Sequence, residues 1–202
     1  GVAYDMALAS ARQQAADANT NLWAQRARAA IRAHLPAALV TVGVFTFFAV
    51  GKTGPSGLLL DGCTAADAPS RPGLDCRFPA RPSTLSRSGI DFLDVHIYEA
   101  NGSAAALDAN LRTEEWSMIP ATMPIVMGEF GCNKEWGLDA NSCAPRVREL
   151  QISSCARGFS GWLFWTYDCE EQPDPHWYTL VEGGGAINAV LAPALNADPC
   201  EL

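Results

Sequence analysis

Four short runs of β-branched and aromatic residues, each separated from the next by helix formers or a loop, constrain this chain more than any other feature. They are Leu39–Phe45 (LVTVGVF), Asp91–Tyr98 (DFLDVHIY), Met123–Glu129 (MPIVMGE) and Gly161–Tyr167 (GWLFWTY). Seven or eight residues is strand length. Helical stretches are expected at 5–34, Ser103–Ser117, about Cys143–Ala156 and Gly185–Leu195. The resulting order is helix, strand, loop, strand, helix, strand, helix, strand, helix. Strands alternating with helices form parallel sheets with helical crossovers, so the fold class is α/β. No internal repeat, low-complexity tract or linker divides residues 1–202. They read as a single domain long enough to bury a sizeable core.

Local signals refine that order. Residues 5–34 are Ala-rich without Pro or Gly, and Leu22, Trp23, Ala27, Ala30 and Ile31 recur at the spacing of one helix face. His34-Leu35-Pro36 ends the helix, because the residue before proline is pushed out of helical geometry. His34 is simply a favourable charge at a helix C-terminus. Leu39–Phe45 is a near-continuous apolar run of the kind found in strands covered on both faces. Residues 47–90 hold Gly51, Gly54-Pro55, Gly57, Gly62, Pro69, Pro72-Gly73, Pro79 and Pro82. A loop of that length inside a compact domain is usually functional.

The formal charge is −8 and the sequence pI about 4.8. An acidic surface repels phosphate backbones and anionic lipid, so no nucleic acid and no membrane partner is expected, and a neutral substrate fits better. The most apolar stretch, Leu35–Val50, is too short to span a bilayer and is broken by Pro36 and Gly43. There is no signal-peptide core, and a start at Gly1 reads as a processed, trimmed or incomplete N-terminus. Cysteines stand at 63, 76, 132, 143, 155, 169 and 200, none in a C-x-x-C pair. No zinc or redox signature follows, and no metal or other cofactor is expected. Their scatter suits disulfides in a secreted, extracellular protein; the alternative is a set of buried thiols. Cys63 with Cys76 could clip a loop, but spacing does not fix connectivity.

The last three strands end in chemistry. Alternation puts Asp94, His96 and Tyr98 on one face of their strand and Leu93, Val95 and Ile97 on the other. Asp94 lies deeper and suits a hydrogen bond within a barrel. Glu129 is the only charge of its strand. Leu163, Trp165 and Tyr167 share a face, and Trp162 has the opposite parity, so one indole packs under helices while the other faces the site. A carboxylate with His, Tyr and Trp at strand ends suits a sugar: the indole stacks on a pyranose, and Tyr and His bond hydroxyls or the carboxylate. The carboxylate can attack an anomeric carbon. The plainer alternatives are a strand-end carboxylate without a role, and a His–Tyr pair that satisfies itself.

On these residues the chain resembles the C-terminal half of a cellulase-like glycoside hydrolase, family 5 and its relatives in the retaining (β/α)8 TIM-barrel clan. In that family the sixth strand ends in His-x-Tyr, matched by His96-Ile97-Tyr98. The seventh ends in the nucleophile, matched by Gly128-Glu129-Phe130-Gly131, and the eighth in a Trp, matched by Trp165. The likeness runs from about residue 20 to 195. It implies strands five to eight of the barrel, Glu129 as nucleophile, Tyr98 orienting it, and His96 and Trp165 lining the sugar site. It further implies a carbohydrate substrate, an endoglucanase- or mannanase-like activity on β-linked polysaccharide, and two carboxyl groups roughly 5–5.5 Å apart.

One departure matters. The family's acid/base is a Glu following Asn, and this sequence contains no Asn-Glu dipeptide. A full barrel of this type takes about 250 residues, so a missing N-terminal half would bring the acid/base, or a dimer partner would complete the fold. The competing readings are a non-catalytic carbohydrate-binding half-barrel or pseudoenzyme, and a purely structural disulfide-rich α/β domain. His176, Trp177, Trp136 and Asn133 either shape a cleft or pack loops. Asp168, Glu170 and Glu171 form an acidic cluster that reads as a solvated loop, with Ca²⁺ binding or a substitute acid as the alternatives.

Overall fold

The computed structural model describes residues 1–5, 8–45, 81–98, 107, 117–167, 176–192 and 198–201. Most of the expected long loop, most of the expected helix Ser103–Ser117 and the Asp168–Glu171 cluster lie outside them. Two compact units are present, one of residues 1–94 and 110–123, the other of residues 95–109 and 124–202. The class is α/β, with four strands, β1 (Gly43–Phe45), β2 (Leu93–Ile97), β3 (Ile125–Phe130) and β4 (Phe159–Phe164), neighbouring in that order, and helices before β1, between β1 and β2, and between β3 and β4.

The first unit holds α1 (Ala9–His34), β1 (Gly43–Phe45), the short helix α2 (Pro82–Leu85) and the start of β2 (Leu93–Ile97). The apolar stripe expected to mark the buried face of α1 does not do so. Leu22, Trp23 and Ile31 are all exposed, Trp23 at 58 %. The inward stripe is instead Asp17, Asn21, Ala24, Arg28 and Arg32, spaced three and four apart. Ala24 is buried, Asp17 binds Arg81, and Asn21 donates to the Thr84 carbonyl at 3.4 Å. Arg28 and Arg32 reach the same Asp91 oxygen at 3.2 and 2.7 Å. The apolar stripe is thus left open, and the helix docks by ion pairs around a small alanine.

Asp91 ties three segments together. Its other oxygen accepts the Val40 backbone N–H at 2.8 Å, and Asp91 N donates to the Val40 carbonyl at 2.9 Å. The Val40 N–H and then Arg28 hold its carboxyl below the usual range. The expected strand Leu39–Phe45 shortens to Gly43–Phe45. It is not covered on both faces: Val40 and Val44 are buried while Leu39 is 75 % exposed. Within the stretch read as loop, Pro82 opens the single turn of α2, where its fixed φ suits a first helical position.

The second unit holds the end of β2, β3 (Ile125–Phe130), a 3-10 turn (Lys134–Trp136), α3 (Ala140–Cys155), β4 (Phe159–Phe164) and α4 (Glu182–Leu191). β3 and β4 pair in parallel. Val95, Ile97, Ile125, Met127, Phe130, Val147, Leu150, Phe159 and Ile187 are buried, a core of strand residues and helix faces. α3 begins three residues earlier than its apolar pattern, because Asp139 accepts the Ser142 N–H at 2.7 Å and caps it. β4 starts directly after Gly158, which takes the left-handed φ of 80° that turns the chain out of α3. At α4, Thr179 and Glu182 exchange hydrogen bonds in capping-box fashion. Disulfides Cys132–Cys143 and Cys155–Cys200 leave from the two ends of α3. Cys63, Cys76 and Cys169 lie outside the described residues. Among the described residues no helix is long and apolar enough to cross a membrane.

Candidate functional site

The site forms where β2 and β3 end. The burial of β2 alternates as expected, with Leu93, Val95 and Ile97 buried and Asp94, His96 and Tyr98 on the more open face. β3 cannot deliver Glu129 to that face by alternation, because Glu129 has the parity of the buried Ile125 and Met127. The register solves this. Met127 pairs with Trp162 and Phe130 with Phe164, so Gly128 and Glu129 stand opposite Leu163 alone. This β-bulge turns Glu129 to the open face and returns Phe130 to the core, where it meets Phe164 edge-on at 5.6 Å. Bulges re-aim side chains in this way and are common beside active sites.

On that face Tyr98 Oη donates to Glu129 Oε2 at 2.7 Å, and His96 Nδ1 lies 3.3 Å from the same oxygen. Among the described residues neither of these contacts falls on Oε1. Burial, together with the neighbouring Glu129 carboxylate that accepts its hydrogen bond, pushes the Tyr98 hydroxyl far above its ordinary range. It therefore stays a donor across the whole physiological range. A carboxylate held through one oxygen presents the other as a nucleophile in a fixed orientation.

Gly131, two residues beyond Glu129, has a steric reason. A Cβ there would collide with the Trp165 carbonyl oxygen and come within 3.6 Å of Tyr98 Cε1. Trp165 N donates to the Phe130 carbonyl at 2.8 Å, which fixes the chain just beyond β4 beside the glycine. The two indoles stand in different surroundings. Trp162 donates to Ser154 Oγ on α3 at 2.8 Å, whereas Trp165 is 41 % exposed, with Leu163 and Tyr167 exposed as well. His96, Tyr98 and Glu129 thus come together through side chains, and Trp165 joins them through its backbone.

Asn133, Trp136, His176 and Trp177 also assemble, which their sequence positions left open. Asn133 and Trp177 form an antiparallel bridge; Lys134 N donates to the His176 carbonyl at 2.8 Å and Tyr178 N to the Cys132 carbonyl at 3.0 Å. Trp177 lies against Tyr98 with ring centroids 4.5 Å apart and meets Trp136 edge-on at 5.9 Å. Lys134 pairs with Glu182 at 2.8 Å; burial raises the Glu182 carboxyl, but Lys134 and the Thr179 N–H outweigh it and leave it lowered.

No protein-family model matches the chain, and no curated protein matches it. Two solved structures do. An endo-beta-1,4-mannanase from Thermotoga petrophila is 16 % identical with a TM-score of 0.47, over 85 % of this chain and 38 % of that one. The hyperthermostable endo-1,4-beta-D-mannanase from Thermotoga petrophila RKU-1, with maltose and glycerol, is 16 % identical with a TM-score of 0.48, over 90 % and 53 %. The chain thus spans between about a third and about a half of those chains. A likeness this weak carries no argument about activity.

Proposed function

We propose that this chain is the nucleophile-bearing part of a retaining glycoside hydrolase that acts on a β-linked polysaccharide or oligosaccharide. The observation that carries the reading is the Tyr98–Glu129–His96 cluster, with Glu129 turned into it by a bulge and approached at Oε2 by both Tyr98 and His96. Glu129 Oε1 attacks the anomeric carbon as the bond to the leaving oxygen breaks. The glycosyl ester so formed is then cleaved by water, and the configuration is retained. Tyr98 holds the carboxylate, His96 lines the sugar site and Trp165 lies under the sugar. Protonation of the leaving group requires a second carboxyl group, which comes from a missing N-terminal barrel half or a partner copy. Strands five to eight of a (β/α)8 barrel are then what this chain supplies, as a single catalytic domain. The exposed Leu22, Trp23 and Ile31 of α1 support that reading, since a piece separated from its complement leaves apolar helix surface bare. The two disulfides favour a secreted, extracellular protein.

The absence of an Asn-Glu dipeptide favours one alternative, a carbohydrate-binding pseudoenzyme. The intact gene product assayed on a panel of β-linked glucans, mannans and galactans separates the two. Hydrolysis that falls by several orders of magnitude in Glu129→Gln is the result expected of the hydrolase. Binding without turnover supports the pseudoenzyme, and turnover that survives the substitution contradicts Glu129 as nucleophile.

A further inference from the structure

Trp177 lies far from Tyr98 in sequence, yet its ring touches both Tyr98 and Trp136. A sugar platform needs a free aromatic face, and this indole spends its surroundings on two other rings. Its backbone is equally committed. The bridge to Asn133 and the hydrogen bonds on either side, Lys134 N to the His176 carbonyl and Tyr178 N to the Cys132 carbonyl, lay residues 176–178 along 132–134. Tyr178 Oη donates to the Leu138 carbonyl at 2.8 Å, and Lys134 bonds Glu182. The Cys132–Cys143 disulfide anchors the receiving segment to α3. Each constraint bears on where the Trp177 ring stands, and the ring stands against the tyrosine that holds Glu129.

We infer that Trp177 is a positioning residue that acts through Tyr98: it packs the phenol in place, keeps water from it, and so fixes the hydrogen bond that orients Glu129. The inference rests on the hydrolase reading for its catalytic consequence, but the packing it describes can be read without any sugar. The raised Tyr98 ionisation agrees with a dry phenol beside a carboxylate.

The test uses the full chain carrying 13Cζ-labelled tyrosine, with Tyr98→Phe to assign its resonance. Wild-type Tyr98 should remain un-ionised through the range in which an ordinary tyrosine titrates. In Trp177→Ala it should ionise within that range, and Trp177→Phe should restore most of the resistance. If Trp177→Ala does not fold, Trp177→Leu, which keeps bulk without the ring contact, gives the same reading. An unchanged Tyr98 titration in a folded Trp177 variant overturns the inference. The catalytic arm is the rate at which an activated 2-deoxy-2-fluoro-β-glycosyl fluoride labels Glu129. Trp177→Ala should slow it roughly tenfold, the worth of a weakened charge-assisted hydrogen bond. The same substitution should add nothing in a Tyr98→Phe background. Additive losses would contradict action through Tyr98. Failure of wild-type protein to label would count against the hydrolase reading, while the titration would still decide the role of Trp177.

Discussion

At the residue scale the site depends on one oxygen of one carboxylate. Tyr98 and His96 both approach Oε2 of Glu129, and the phenol stays protonated because burial and the carboxylate oppose its ionisation. Replacing Tyr98 by Phe deletes the hydroxyl and keeps the ring against Trp177. A hydrogen bond to a charged group is worth about 1.5–3 kcal/mol, so Tyr98→Phe should slow covalent labelling of Glu129 by about 10- to 100-fold with little loss of thermal stability. An unchanged rate would mean that Tyr98 does not orient the carboxylate. His96 and Tyr98 are legible in the sequence from strand alternation, whereas Glu129 is legible only from its place in the order of motifs, since alternation alone would turn it inward. The bulge is not legible, because Gly128 marks a possible irregularity without giving its register. Trp177 was legible only as an unusual residue, since its contact with Tyr98 depends on a bridge between two loops.

At the element scale the strands and, among the described residues, the helices lie near their expected positions, and the differences have physical causes. The start of α3 was hidden because an Asp cap, rather than an apolar residue, sets it. The inward face of α1 is set by ion pairs rather than by its apolar residues, so apolar spacing does not mark it. That docking makes a pH prediction. Asp91 has a folded-state pKa below its ordinary 3.8, so its contribution is complete above that value and is lost as pH falls through the folded one. Thermal melts from about pH 5 to about pH 2 should therefore fall more steeply in wild type than in Asp91→Asn. Asp139 and Glu182 shift in the same direction in both proteins, so the difference isolates Asp91. Parallel curves would contradict the role given to it. The disulfides make a second prediction. They close loops with separations of 11 and 45 residues, for which chain entropy gives about 3 and about 4 kcal/mol. Cys155→Ser should lower Tm by more than Cys143→Ser, and the reverse order would show that the anchoring of residues 132–134 outweighs loop length.

At the scale of the whole molecule the central proposal is chemical: Glu129 serves as the nucleophile of a double displacement. Sequence order carried that claim further than composition could, since an acidic chain with seven cysteines fits many secreted proteins. What the sequence could not supply is the polysaccharide, because no motif in its loops separates one β-linked sugar from another. The most direct measurement avoids the missing acid. In a 2-deoxy-2-fluoro-β-glycosyl fluoride the leaving fluoride needs no protonation, and the fluorine at C2 slows hydrolysis of the glycosyl ester. Wild-type protein incubated with the gluco-, manno- and galacto-configured reagents, then digested and analysed by mass spectrometry, should carry one fluorosugar on the peptide containing Glu129, and Glu129→Gln should carry none. An adduct on another residue, or no adduct with any of the three, would contradict the account.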